Sequence, residues 1–477
     1  MRNKIHFKQI TQVIVILFAL VHYAFAQAQV LPKPNAQQLA WQEAELGVVF
    51  HYDLHVFDTT KYVQSKNRNI PVYDYNIFNP GYLNVEQWVL AAKSAGARFA
   101  ILTATHETGF ALFQSDFNPY CLKAVKWRDG KGDLVKEFVD ACRKHDIKPG
   151  IYLGIRWNSF FGVHDFKVNG TGEMQKERQK YYNAMVEGMV KEICTKYGDL
   201  FEIWFDGGAS SPEKGAPDVL PIVKKYQPNC LFYHNEQLAE ARWGGSESGT
   251  VGYPCWSTFT YPATGAGEST AEHISANNYA LLKNGDPNGK YWVPAMADAP
   301  LRGDNNRHEW FWEPGDEHTV FPLEKLVDMY YKSVGRNSTL ILGLTPDNTG
   351  LLPKGDEQRL IEFGKEITKR FLKPLASVQG KGRAVTINLA NIQEVNQVVI
   401  SEDIAKGERI RKYRIEAKIN NKWQMVCSGI SVGNKRIQTF KAIKTNAMRL
   451  VVEECINEPL IDSFKIYHVQ SKIVIDN

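Results

Sequence analysis

"NVEQWVLAAKSAGARFAILTATHETGF", Asn84–Phe110, decides the fold. Apolar residues recur at helical spacing from Val85 to Ala92, and Asn84 stands where a helix N-cap is expected. A turn at Gly96 follows, then the apolar run "RFAILTAT", which reads as a buried strand and turns polar at His106 and Glu107. The order repeats. "GDLVKEFVDACRKHDI", with Asp133 in its first turn, leads to "PGIYLGIRW"; "RQKYYNAMVEGMVKEICTKYG", closed by Gly198, leads to "LFEIWFDGG"; "DVLPIVKKYQPN" leads to "CLFYHNE". Helices alternating with apolar strands imply a parallel sheet covered by helices. The strands end on polar and aromatic side chains: Thr105, His106 and Glu107; Arg156 and Trp157; Asp206; His234 and Asn235. That placement suits a (β/α)8 barrel, whose sites gather at the C-terminal ends of its strands. A doubly wound sheet shares the repeat but usually carries a phosphate-binding glycine fingerprint between strand and helix, and none occurs here.

Working outward, the first strand lies in "ELGVVFHYDLHVFD" (Glu45–Asp58), and the last units cover "GKYWVPAMADAPLR", "PLEKLVDMYYKSVGRN" and "STLILGLTPD". Beyond residue 376 the texture changes to short alternating runs such as "RAVTINLA", "KYRIEAKIN" and "AMRLVVEE", separated by turn residues. The expected architecture is α/β: a (β/α)8 barrel over residues 27–370, followed by an all-β sandwich over 376–477.

The first residues read differently. Arg2, Lys4 and Lys8 precede the short apolar run "VIVILFALV", and Ala24 and Ala26 offer a small-residue cleavage site before Gln27. Residues 1–26 are therefore expected to be a secretory signal peptide, and the mature chain to be exported, periplasmic or secreted, without a membrane span. The 477 residues are 44% hydrophobic and 23% charged, which supports sizeable cores, and a net charge of +5 without a Lys/Arg block gives no nucleic-acid surface. Aromatics make up 12%, a composition that suits both sugar-binding walls and ordinary cores. Seven scattered cysteines without a CxxC pair form neither a disulfide framework nor a zinc knuckle; most read as small buried hydrophobes, with one or two disulfides left open.

Asp206 carries the strongest individual case for chemistry. A buried carboxylate without a partner costs several kcal/mol, so an apolar strand ending in one needs a structural partner or a job. The bland reading is an Asp capping its own loop through Gly207 and Gly208. The catalytic reading adds a rigid strand end, glycines leaving room for a ligand, and aromatic walls. A glycosidase needs a second carboxyl on another loop, and Glu247 in "ARWGGSESGTVGYPCWST" supplies one, with Arg242 and Trp243 close by. His51 and His55 have the i, i+4 spacing of a helical metal pair, with Asp53 between and Asp58 beyond, but the strand-like "GVVF" before them weakens that reading. His106 and Glu107 read as a surface pair capping a loop, as contacts to sugar hydroxyls, or as a metal-ligand pair.

Taken together, these segments resemble the retaining α-L-fucosidases of glycoside hydrolase family 29. The resemblance covers about residues 40–365 and runs in order through "ELGVVFHYDLHVFD", "NVEQWVLAAKSAGARFAILTATHETGF", "GKGDLVKEFVDACRKHDIKPGIYLG", "YGDLFEIWFDGG" and "SVGRNSTLILGLTPDNTGL". It implies that Asp206 is the nucleophile, that His51 and His106 contact the hydroxyls of the sugar, and that Trp157 lies near the pocket wall. "RWGGSESG" resembles the acid/base loop of the branch preferring branched, Lewis-type α-1,3/1,4-fucosides, which implies Glu247 as acid/base. "EWFWEPGDE" resembles another site segment of that branch and adds Trp310 or Trp312 as a further candidate wall. One departure stands out. The family commonly has two adjacent histidines followed by Asp, whereas this chain has His106, Glu107 and Thr108. An acceptor carboxylate thus replaces a donor imidazole among the substrate-binding positions.

The resemblance implies a fucosylated oligosaccharide or glycoconjugate as partner and no metal or organic cofactor. It also implies a double displacement between carboxyls about 5–5.5 Å apart, with Asp206 kept ionised by donors and Glu247 raised by apolar surroundings. Two alternatives remain beside it: a barrel glycosidase for a different sugar, and a non-catalytic glycan-binding homologue. The C-terminal region resembles galactose-binding or discoidin-type modules, and a structural role is expected for it.

Overall fold

The computed structural model of the chain describes residues 30–58, 61–233, 240–260, 276–304 and 310–475. The expected signal peptide, His234 and Asn235 lie outside them. Eight strands form one parallel sheet: β1 (Leu46–Phe50), β2 (Phe99–Thr105), β3 (Lys148–Leu153), β4 (Glu202–Phe205), β5 (Leu231–Tyr233), β6 (Arg242–Trp243), β7 (Ala295–Pro300) and β8 (Ser338–Leu344). Their order, β5-β4-β3-β2-β1-β8-β7-β6, is the chain order wrapped on itself, because β1 pairs with both β2 and β8. The sheet is a nearly closed barrel in which, among the described residues, β5 and β6 do not pair.

Local chemistry fixes the helices around it. Asn84 caps the helix Val85–Ser94 by accepting the Gln87 amide at 3.0 Å, and Val85, Trp88, Val89, Ala91 and Ala92 face inward. Asp133, expected inside the first turn of the next helix, is instead its N-cap: it precedes Leu134–Lys144 and accepts the Lys136 amide at 2.9 Å.

The strands are buried on both faces, so their runs are apolar throughout rather than alternating. Parity still sorts them. Val48 and Phe50 pack outward beneath the helices, whereas Val49, Ile101, Tyr152, Trp204 and Met296 fill the barrel interior. Trp41, from the N-terminal helix Ala36–Ala44, joins that interior cluster and donates its indole N–H to Glu202 at 2.9 Å. Glu202, the one polar residue in "LFEIWF", is thus a fully buried acid on the inward face; burial pushes its carboxyl up to about 8.

Six antiparallel strands follow between Ala376 and Tyr467. Two of them, Ala384–Glu402 and Arg436–Cys455, are long and break register midway, so that each serves both halves of the sheet. Val385, Ile415, Leu450 and Phe464, drawn from both halves, share one core. The sheet is tied to the barrel by the buried Glu408, which accepts the Ser257 amide at 3.0 Å and Asn337 Nδ2 at 2.6 Å. All seven cysteines are unpaired thiols, five of them buried. Among the described residues no helix is long and apolar enough to cross a membrane.

Candidate active site

Parity explains why an apolar strand ends in an acid. Glu202, Trp204 and Asp206 fall on one face of β4: the first lies near its start, the second inside the barrel, the third at its mouth. The same alternation carries β1 from Val49 to His51, and β7 from Met296 to Asp298. A register break between Thr103 and Thr105 ends β2, and His106 and Glu107 follow it. One cavity at the C-terminal ends of the strands receives these side chains. Of the sequence candidates, His51, His106, Glu107, Asp206, Glu247 and Trp310 all line it.

Asp206 accepts the Tyr152 hydroxyl at 2.8 Å. Burial, reinforced by the charge of Glu247, holds its carboxyl above the ordinary range, while Tyr152, Arg68 and the Gly207 amide oppose that shift. The donors expected around Asp206 are present, and desolvation outweighs them. Glu247 accepts the Trp310 indole N–H at 3.0 Å, so Trp310 both walls the cavity and orients the second carboxyl. A third acid, Asp298, is buried and accepts the Trp243 indole N–H at 3.0 Å.

The imidazoles stay neutral. Burial lowers His51 to about 3, against a smaller opposing pull from Glu247, and it pushes His106 well below its usual range. His106 stacks on Tyr152 with ring centroids 5.4 Å apart, and His51 lies 5.0 Å from Trp310. Glu107 is held at both oxygens, by Tyr62 Oη at 2.7 Å and Arg68 Nε at 2.6 Å. Burial raises its carboxyl; Arg68 and Tyr62 oppose the rise. Thr108, where the family commonly has Asp, donates its hydroxyl at 2.5 Å to Asp53, which also accepts the Leu54 amide at 2.7 Å.

Two of the aromatic candidates, Trp157 and Trp312, are not in the lining. Trp157 does not line the cavity: Arg68 lies 3.4 Å and Arg156 4.5 Å from its ring centroid. Trp312 is half-buried against the outer core. Nor does Gly207 simply leave room for a ligand. Gly207 takes a left-handed φ of 67°, and a Cβ there would lie 2.8 Å from both Arg156 and Trp157, so the space beside it is filled by protein. His55 packs on Tyr62 and Phe311 with ring centroids 5.0 and 4.0 Å away, and among the described residues no three His, Cys, Asp or Glu side chains gather to hold a metal.

Sequence reasoning missed Tyr62, Arg68, Tyr152, Trp204, Asp298 and Phe311, all in the lining. For Tyr152, Trp204 and Asp298 a signal existed, since strand parity places each on the inward face. Tyr62 and Arg68 come from an irregular polar segment with no such pattern.

Comparison with known proteins places these features in context. Residues 27–370 match the family model described as Alpha-L-fucosidase. The chain is 29% identical to Alpha-L-fucosidase 1 of Arabidopsis thaliana over 92% of its own length and 88% of that protein. A crystal structure of a putative alpha-L-fucosidase from Bacteroides thetaiotaomicron shares 60% identity, with a TM-score of 0.89 over 92% of this chain and 100% of that one. A glycoside hydrolase 29 family member from an unknown rumen bacterium shares 30% identity, with a TM-score of 0.77 over 93% and 79% of the two chains.

Proposed function

The chain belongs to the α-L-fucosidase family, and on that premise we propose that it releases α-L-fucose from glycans by retaining double displacement, with Asp206 as nucleophile and Glu247 as acid/base. The observation that carries this reading is the meeting of two carboxyls, from a barrel strand end and a separate loop, in one cavity with two neutral imidazoles. Asp206 attacks the anomeric carbon while Glu247 gives its proton to the departing oxygen; water then cleaves the glycosyl-enzyme with Glu247 as base. Glu247 hinders ionisation of Asp206, whereas Tyr152, Arg68 and the Gly207 amide favour its charged form. On this reading Glu247 carries the proton that the leaving oxygen takes. His51 and His106 supply neutral ring nitrogens to sugar hydroxyls, and Trp310 and Phe311 offer apolar surface to the C6 methyl.

The loop around Glu247 supports a preference for branched, Lewis-type α-1,3/1,4-fucosides, and the first residues support export. The C-terminal sheet is read as a buttress, through contacts such as those of Glu408. The test is fucose release by purified protein from an aryl α-L-fucoside beside a branched fucosyl oligosaccharide, with Asp206→Ala as control and the product anomer followed by NMR. Release of the α-anomer that vanishes in the variant is expected. A β-product, or no release from either substrate, would overturn the proposal; the latter would send Glu107 to a wider panel of sugars.

A further inference from the structure

Arg68 is the single cationic side chain among the described residues lining the cavity, beside four acids: Glu107, Asp206, Glu247 and Asp298. It sits at the end of the one-turn helix Gln64–Asn67, on the segment that follows β1. Its guanidinium is pinned twice, by the Trp157 ring with 3.4 Å to the centroid and by Glu107 Oε1 at 2.6 Å from Nε. The second contact uses one N–H of five. Among the described residues the terminal amino groups donate to no protein acceptor, although Arg68 lines the cavity and keeps 21% of its side chain exposed. His51 and His106, by contrast, are buried, with 5% and 6% exposure. The imidazoles thus belong to the floor and Arg68 to the mouth.

We propose, resting on the fucosidase reading above, that Arg68 is a substrate-binding residue for the leaving saccharide, its two terminal amino groups donating to neighbouring hydroxyls of a neutral sugar. The planar fork has a fixed geometry and suits two adjacent acceptors. Its charge is already matched by Glu107, and the remaining acids repel an anion, so the ligand it fits is an uncharged polyol. This also gives Trp157 a role: it is the platform over which the Arg68 guanidinium sits, one step behind the wall. The carboxylate that replaces the family's second imidazole thereby comes with its own set of donors.

The experiment compares Arg68→Lys and Arg68→Gln with wild type on a neutral fucosyl oligosaccharide and on an aryl α-L-fucoside, whose leaving group lacks hydroxyls to read. Thermal melting verifies that the variants fold. The loss of charge-assisted bonds to the departing sugar should lower kcat/KM on the oligosaccharide about tenfold more than on the aryl substrate, chiefly through KM. Equal losses on both substrates, or no loss on either, would overturn the inference and leave Arg68 as a support for Glu107. If wild type releases fucose from neither substrate, the functional reading itself fails, and this inference with it.

Discussion

Tyr152→Phe removes one oxygen from the site and leaves the rest in place. The ring stays stacked on His106, at 5.4 Å and an interplanar angle of 19°, while the hydroxyl donated to Asp206 at 2.8 Å is lost. A hydrogen bond to a charged group contributes about 1.5–3 kcal/mol, and one pKa unit corresponds to about 1.4 kcal/mol. The charged form of Asp206 loses a bond of that strength, so its carboxyl, already held above its ordinary range by burial and by Glu247, should rise further. In the proposed mechanism Asp206 attacks only when ionised, so activity is lost as pH falls through its pKa, and a higher pKa moves the acid limb of the profile upward. The assay is kcat/KM against pH on an aryl α-L-fucoside, because kcat/KM reports the free enzyme, the state in which the Tyr152–Asp206 bond is observed. An acid limb that stays put or moves downward would refute the reasoning.

Three further outcomes follow from the same geometry. Glu247→Gln should lower kcat/KM on an oligosaccharide by about 10²–10⁴-fold, with a smaller loss on an aryl fucoside whose leaving group needs little protonation; equal losses would deny Glu247 its role as acid. Glu202, raised from an ordinary 4.5 to about 8, binds its proton more tightly folded than unfolded. Its contribution to stability is thus present at low pH and fades as pH rises through that window, by at most about 1.4 kcal/mol per unit. Glu202→Gln should flatten that part of the slope in denaturant unfolding at pH 5 and pH 8, and an unchanged slope would contradict the assignment. Asp356 holds the fully buried Arg302 through both oxygens, at 3.0 and 2.7 Å, and Asp316 is the other partner. Asp356→Ala should cost about 3 kcal/mol in urea unfolding, at the low end of the range for breaking a buried pair because Asp316 remains.

The barrel was legible because its strands are buried on both faces and leave unmistakable apolar runs between amphipathic helices. Asp206, His51, His106 and Glu107 were legible because each follows such a run, whereas Glu247 lies in a Gly/Ser-rich loop and was legible only through the resemblance of "RWGGSESG" to a family loop. Tyr152 and Trp204 hid inside the runs, where an aromatic reads as ordinary core until alternation assigns it to the inner face. Asp298 was hidden differently: "AMADAP" is short and small-residued, and its acid looks like a turn. Trp157 misled because an aromatic at a strand end looks the same whether it faces a ligand or carries an arginine. Arg68 and Tyr62 are placed by long-range contacts to Glu107, across 39 and 45 residues, which no local pattern encodes.

The central claim, that Asp206 forms a covalent glycosyl-enzyme, is tested most directly by incubating the protein with 2-deoxy-2-fluoro-α-L-fucosyl fluoride and locating the label by peptide mass spectrometry. Slow hydrolysis of the trapped intermediate should leave one 2-fluorofucosyl group on the peptide containing Asp206, and none on Asp206→Ala. A label on Glu247 or Asp298, or hydrolysis of fucosides without any trapped adduct, would contradict the account.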